Sequence, residues 1–235
     1  MIKRMNGLLA LAFAFAATAC SAQAPNKLTK EEQSQGWQLL FDGVSSKGWK
    51  KANGQPFPAK GWAIENGAFT IDTLAGRGGD IVTEELFTNF ELAIDFKITT
   101  GANSGIKYFL FPNSSLGCEY QIIDDEHHPD AKLGVNGNRK QAGLYDLIAP
   151  DAGKKDSPVG QWNHARIIAN GNHVEHWLNG RKTLEYERDS PAFKALIAAS
   201  KYKNNKGFSE AKQSPILLQE HGEVVSFRNI KIRKL

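Results

Sequence analysis

The chain has 235 residues, with 29 Lys plus Arg against 25 Asp plus Glu and a formal net charge of +4. The basic residues are scattered rather than gathered into one stripe, which excludes a nucleic-acid footprint. There are two cysteines, Cys20 and Cys118. With Cys20 assigned to the amino-terminal signal below, no internal disulfide remains, and the fold must rest on its core.

Lys3 and Arg4 precede an apolar run from Leu8 to Ala17, followed by Thr18-Ala19-Cys20. This is the pattern of a secretory signal, and it is too short for a spanning helix of about 20 apolar residues. The cysteine after the small residues makes residues 1–19 resemble a bacterial lipoprotein signal. The resemblance implies that Cys20 is the lipidated first residue of the mature protein. Ser21 after it favours the outer membrane, on the periplasmic or surface side. Residues 20–35 are polar and read as a tether, and residues 36–235 read as one domain.

Within the domain, Trp37–Asp42, 62–71 and 81–83 are strand candidates. Phe90, Leu92, Ile94, Phe96 and Ile98 then share one face of a longer strand. Ile106, Tyr108 and Leu110 alternate with Lys107 and Phe109, and Tyr120 and Ile122 alternate with Glu119 and Gln121. Strands are also expected at 144–148 and 162–169, at Val174, His176 and Leu178, and around Phe227 to Ile232. Turn residues punctuate them, including Asn66-Gly67, Asn170-Gly171 and Asn179-Gly180. Many short strands with such turns predict an all-β fold, a jelly-roll sandwich of two antiparallel sheets. One short helix is expected, with Ser190 as its cap, Pro191 in its first turn and Phe193, Leu196 and Ile197 on one face. Residues 200–214 read as a long mobile loop of the kind that forms lids.

Polar positions on the non-core faces of three strands are the candidate site: Lys107, Glu119 with Gln121, and Gln219 with His221. Amides and carboxylates bind sugar hydroxyls, and Glu or His moves protons near neutral pH. Trp177 could stack on a sugar face, and Asp80, after two glycines, could aim a carboxylate at the same cleft. The segment from Asp124 to Asp130 is dense in possible ligands for Ca²⁺ or Zn²⁺. It has neither EF-hand spacing nor an H-E-x-x-H motif, so no metal is favoured and no cofactor is expected. An acidic exposed loop bordering the cleft is the expected form.

Several segments occur together and in order. They are Asn103-Ser104-Gly105-Ile106, Glu119-Tyr120-Gln121-Ile122-Ile123-Asp124, Gly143-Leu144-Tyr145, Gly160-Gln161-Trp162-Asn163, Trp177-Leu178-Asn179-Gly180 and Leu218-Gln219-Glu220-His221-Gly222. In this ordered set the chain resembles the 3-keto-disaccharide hydrolase domain family. The resemblance implies a concanavalin-like jelly roll and cleavage of 3-keto-glycosides made by a separate sugar oxidoreductase. A ketone at C3 acidifies the C2 proton, so a base, an oxyanion stabiliser and an acid would suffice. His221 and Glu119 are the expected base and acid, in either order, and Lys107 the oxyanion stabiliser. Gln121, Gln219, Tyr145 and Trp177 would orient the sugar. Two other readings stay open. One is a non-catalytic carbohydrate-binding lipoprotein. The other is a conventional glycosidase, which needs two facing carboxylates, here Glu119 with Asp124 or Asp80.

Overall fold

The computed structural model describes residues 24–155 and 158–235. The signal segment 1–19 and Cys20 lie outside the described residues. No helix among those described is long and apolar enough to cross a membrane.

The chain forms α1 (Lys30–Ser34), β1 (Gln38–Leu39), β2 (Trp49–Lys51), β3 (Trp62–Glu65), β4 (Ala68–Ile71), β5 (Ile81–Thr83) and β6 (Phe90–Ile98). It continues through β7 (Asn103–Tyr108), β8 (Cys118–Ile123), β9 (Asn163–Asn170), β10 (His173–Leu178) and β11 (Arg181–Glu187). It ends with α2 (Pro191–Ala199), β12 (Leu217–Leu218) and β13 (Val225–Lys234). Two antiparallel sheets result. The larger runs β11-β10-β9-β6-β13-β4-β3, with β1 also on β13, and the smaller runs β2-β5-β12-β7-β8.

The predicted alternation becomes a sandwich because each sheet turns its apolar face onto the other. His176 of β10 meets Tyr120 of β8 with ring centroids 4.8 Å apart, and Phe90 of β6 meets Tyr108 of β7 at 6.3 Å. The Asn66-Gly67 hairpin joins β3 to β4 with φ of 50° and 73°, the left-handed pair that a two-residue turn requires. Helix α2 starts as expected. The Ser190 hydroxyl accepts from the Phe193 N–H at 3.1 Å, and the Phe193 ring stacks on Tyr186 at 4.8 Å. Leu196, expected on the buried face, is 38% exposed.

Three segments differ from expectation. The stretch read as a tether is docked from Asn26 onward. Asn26 and Asn229 exchange side chain-to-backbone hydrogen bonds of 2.6 and 2.8 Å, and Asn26 Nδ2 donates to the Gly67 carbonyl. Helix α1 follows, with a capping box between Thr29 and Glu32 and an ion pair from Glu32 to Lys231. Polar composition hid this segment, because its anchors are amides and charges rather than apolar side chains. Residues 144–148 form a tight turn, not a strand, with Asp146 at φ 62°. The loop 200–214 is pinned rather than free: Tyr202 and Phe208 are buried and stack at 4.1 Å, and Arg188 donates to the Ala211 carbonyl.

Candidate active site

A polar cleft of about 350 Å³ opens on the outer face of the smaller sheet. Strands β7 and β8 supply its floor. Their register sets Lys107 opposite Glu119 and Gly105 opposite Gln121. Because side chains alternate, Tyr108 and Cys118 at the neighbouring positions go to the core. Gly105 is needed for space: a Cβ there would lie 2.3 Å from Glu119 Oε1. The Glu119 carboxylate therefore lies across the bare backbone of its partner strand.

Gln219 follows β12 and is held beside β7, where its N–H donates to the Gly105 carbonyl and its carbonyl accepts from the Ser104 hydroxyl. With its amide oriented to suit both neighbours, Gln219 donates to Glu119 Oε1 at 3.2 Å and accepts from Lys107 Nζ at 3.0 Å. Lys107 Nζ lies 3.5 Å from Glu119 Oε2. Burial pushes the Glu119 carboxyl above its usual value, and the charges of Lys107 and Lys201 only partly oppose it. Gln121 donates to Asn103 Oδ1 at 3.4 Å, while its own Oε1 is buried without a partner. Such an acceptor suits a sugar hydroxyl.

The walls come from loops. Tyr145 is anchored by its N–H to the Glu119 carbonyl, and its hydroxyl donates to Asp130 Oδ2 at 2.8 Å. Asp130 Oδ1 pairs with Arg139, Arg139 pairs with Asp146, and Asp146 Oδ2 accepts from the Lys201 N–H. This chain of partners fixes Lys201, whose ammonium sits 4.0 Å from the Tyr145 ring centroid. Burial lowers the Lys201 pKa, although Glu119 and Asp146 pull the other way. Burial raises that of Tyr145, as does its bond to Asp130. His221 lines the cleft, with Nδ1 3.0 Å from Glu223 Oε2 and its carbonyl accepting from Arg77.

Lys107, Glu119, Gln121, Tyr145, Gln219 and His221 thus converge on one cleft. Three expected members do not line it. Trp177 lies in the larger sheet, on the face away from the core. Its indole donates to Glu175 at 2.7 Å, and Arg166 covers its ring at 4.9 Å. Its phase was read from the alternation, but the alternation does not say which sheet a strand joins. Asp124 spends its carboxylate on the backbone, accepting from the N–H groups of Gly101, Glu126 and His127, and its ring partner is His127. Burial would raise its pKa, yet these donors hold it below the usual value. Asp80 accepts from the Glu220 N–H and reaches Glu119 only through its charge, which adds to the raised pKa there. The loop after Asp124 is exposed at Glu126 and His127 and borders the cleft, as expected, but it turns His128 inward.

Asn103, His128, Asp130, Lys201 and Tyr202 also line the cleft. The last two come from the segment read as a lid. Asp130 and His128 fall in the acidic segment considered for metal binding. Asn103 lies on β7 two and four positions before Gly105 and Lys107, so the alternation places it on their face. No local pattern marks the other four as facing Glu119, because long-range packing brings their segments there.

Known proteins resemble this chain in sequence and fold. The chain is 34% identical over 231 residues to the 3-keto-disaccharide hydrolase of Bacteroides thetaiotaomicron, spanning 85% of this chain and 79% of that protein. A crystal structure from Parabacteroides distasonis, of a protein assigned as a glycosyl hydrolase, superposes with a TM-score of 0.81 at 32% identity. That match covers 90% of this chain and 100% of that one. A second protein with the same assignment from that organism matches at a TM-score of 0.65 and 28% identity, over 85% and 99% of the two chains. Residues 36–233 match the model of the 3-keto-alpha-glucoside-1,2-lyase-like domain, and the chain belongs to that family.

Proposed function

We propose that this protein is an enzyme that cleaves glycosides, and that its substrates carry a ketone at C3 of the sugar. The observation that carries the proposal is the Glu119 carboxyl, raised by burial and gripped by Lys107 and Gln219 on the floor of a polar cleft. A buried carboxyl of this kind is suited to hold a proton and deliver it to a leaving group.

The chemistry runs as follows. The His221 Nδ1–H is directed at Glu223, which leaves Nε2 with its lone pair as the base. It takes the C2 proton, and the electron pair passes through C2 and C3 onto the ketone oxygen as an enolate. The enolate pair returns, a C1–C2 double bond forms, and the C1–O bond breaks. Glu119 gives its proton to the departing oxygen. Water then adds to C1, returning a proton to Glu119, and C2 recovers its proton from His221. Lys107 supplies positive charge at the floor, while Gln121, Gln219 and Tyr145 orient the sugar.

The conventional two-carboxylate route finds less support. Among the described residues Asp130 is the other carboxylate of the cleft, and both of its oxygens are engaged, one by Arg139 and one by Tyr145. The lipid anchor at Cys20, the outer-membrane location and a partner oxidoreductase that makes the ketone belong to the same proposal.

The purified domain is to be incubated with an aryl glucoside and with its 3-keto derivative, and aglycone release followed. Release from the keto substrate alone is the expected result. Release from the plain glucoside would overturn the proposal in favour of a conventional glycosidase. Binding of either sugar with no release would overturn it in favour of a carbohydrate-binding protein.

A further inference from the structure

We infer that His128 is a further catalytic residue: it presents an Nε2–H to the cleft as the hydrogen-bond donor for the enolate oxygen. The inference rests on the reading of His221 as base. His128 is 8% exposed and sits on the cleft wall. It is the cap of the short 3-10 turn Pro129–Lys132, and its Nδ1 accepts from the Asp130 N–H at 3.1 Å. A neutral imidazole that accepts at Nδ1 carries its proton on Nε2. No hydrogen-bond partner for that Nε2 is found among the described residues. A buried ring therefore holds one unpaired N–H beside the cleft.

His221 is in the opposite condition. Its Nδ1 faces a carboxylate, so its free nitrogen has a lone pair. The two rings are 6.0 Å apart at 76°, on segments 93 positions apart in sequence. Proton abstraction at C2 builds charge on the oxygen of C3, the adjacent carbon. Base and donor must therefore act a few ångströms apart, and these two imidazoles do. Asp124 enters here as a positioning residue. Its carboxylate caps the Glu126 and His127 N–H groups, and its carbonyl accepts from the His128 N–H, which shapes the turn that delivers the ring.

The same groups invite a metal reading. His128, His221 and Glu223 each bring one ligand atom to within 4.8 Å of the others, a set that suits a divalent ion. The bond from Asp130 argues against it. The ring nitrogen that accepts this N–H is engaged, and the other carries a proton and has no lone pair for a metal.

The test uses the active full domain and the 3-keto substrate. His128→Asn keeps an acceptor for the Asp130 N–H but has no donor reaching as far as Nε2. It should lower kcat about a hundredfold while KM stays within about threefold. His128→Gln, whose amide reaches farther, should recover part of that loss. Nitrogen-edited NMR of the imidazoles should find neutral His128 as the Nε2–H tautomer. Wild-type kcat in His128→Asn, or the Nδ1–H tautomer, would overturn the inference. So would turnover that is lost with chelator and restored by added zinc or manganese. An inactive wild type would instead remove the reading on which it rests.

Discussion

Lys107 and Glu119 face the cleft, and one position along the same two strands Tyr108 and Cys118 face the core. Both sets of side chains are withdrawn from water, and burial perturbs the ionisation of Glu119 on one side and of Tyr108 and Cys118 on the other. On the core side, Tyr108 bonds to His176 Nε2 at 2.6 Å and to the Tyr186 hydroxyl at 3.1 Å. Burial there drives the His176 pKa down to about 3, against the pull of the Ala142 and Gly143 backbone, and raises the Cys118 thiol. These groups are locked in their neutral forms and sealed between two sheets. On the cleft side, Glu119 is also raised by burial, but its partners are a cation and an amide, and one side of the site is open. Burial alone perturbs a group, and reach to a substrate makes the perturbation useful.

The largest effect should come from breaking the cleft side. Glu119→Gln should reduce kcat/KM on a 3-keto glucoside by about a hundredfold or more, while circular dichroism stays that of wild type, since Gln fills the same space over Gly105. In the wild type, the protonated Glu119 is lost as pH rises through its raised pKa. The descending limb of kcat/KM assigned to it should therefore lie above the ordinary value of 4.5 and be absent from the residual activity of the variant. A limb unchanged in Glu119→Gln would remove Glu119 from the chemistry.

The core side should respond in stability instead. His176 takes up a proton in the unfolded chain below about 6.5 but resists it when folded until about 3. The unfolded state binds more protons in that window, so stability is full above it and falls as pH drops through it. The loss attributable to His176 is on the order of 5 kcal/mol across the window. His176→Gln should be less stable than wild type at pH 7 by about 1–3 kcal/mol and should show a shallower decline towards pH 4 in denaturant midpoints. Activity per folded molecule should stay within about twofold. A kcat deficit without a change in stability would place His176 in the site rather than the core.

The smallest effect is expected at Trp177. Its ring is covered by Arg166 on the far sheet, so Trp177→Ala should leave KM within about twofold and cost about 1 kcal/mol of stability. A tenfold rise in KM would show that sugar reaches that face.

Much of the architecture could be read in the sequence from residue types and spacing. Alternation over Phe90–Ile98 and around Lys107 and Glu119 marked strands and their apolar faces. Ser190-Pro191 marked the start of α2, and Asn66-Gly67 a hairpin. Polar anchoring was less legible. The docking of Asn26 on Asn229 joins positions 203 apart through amides, and nothing local announces it.

The sequence by itself determined that this chain is a two-sheet sandwich of a glycoside-related family, and which side of each strand is polar. A period of two is a local property of the backbone, so the facing of Lys107, Glu119 and Gln121 follows from it. Only the tertiary structure decided which polar faces share a cleft. It brought in His128, Asp130, Lys201 and Tyr202 from loops and left Trp177 on the other sheet. Strand partners and loop paths are chosen by long-range packing, and that information is spread over the whole chain rather than written beside any one residue.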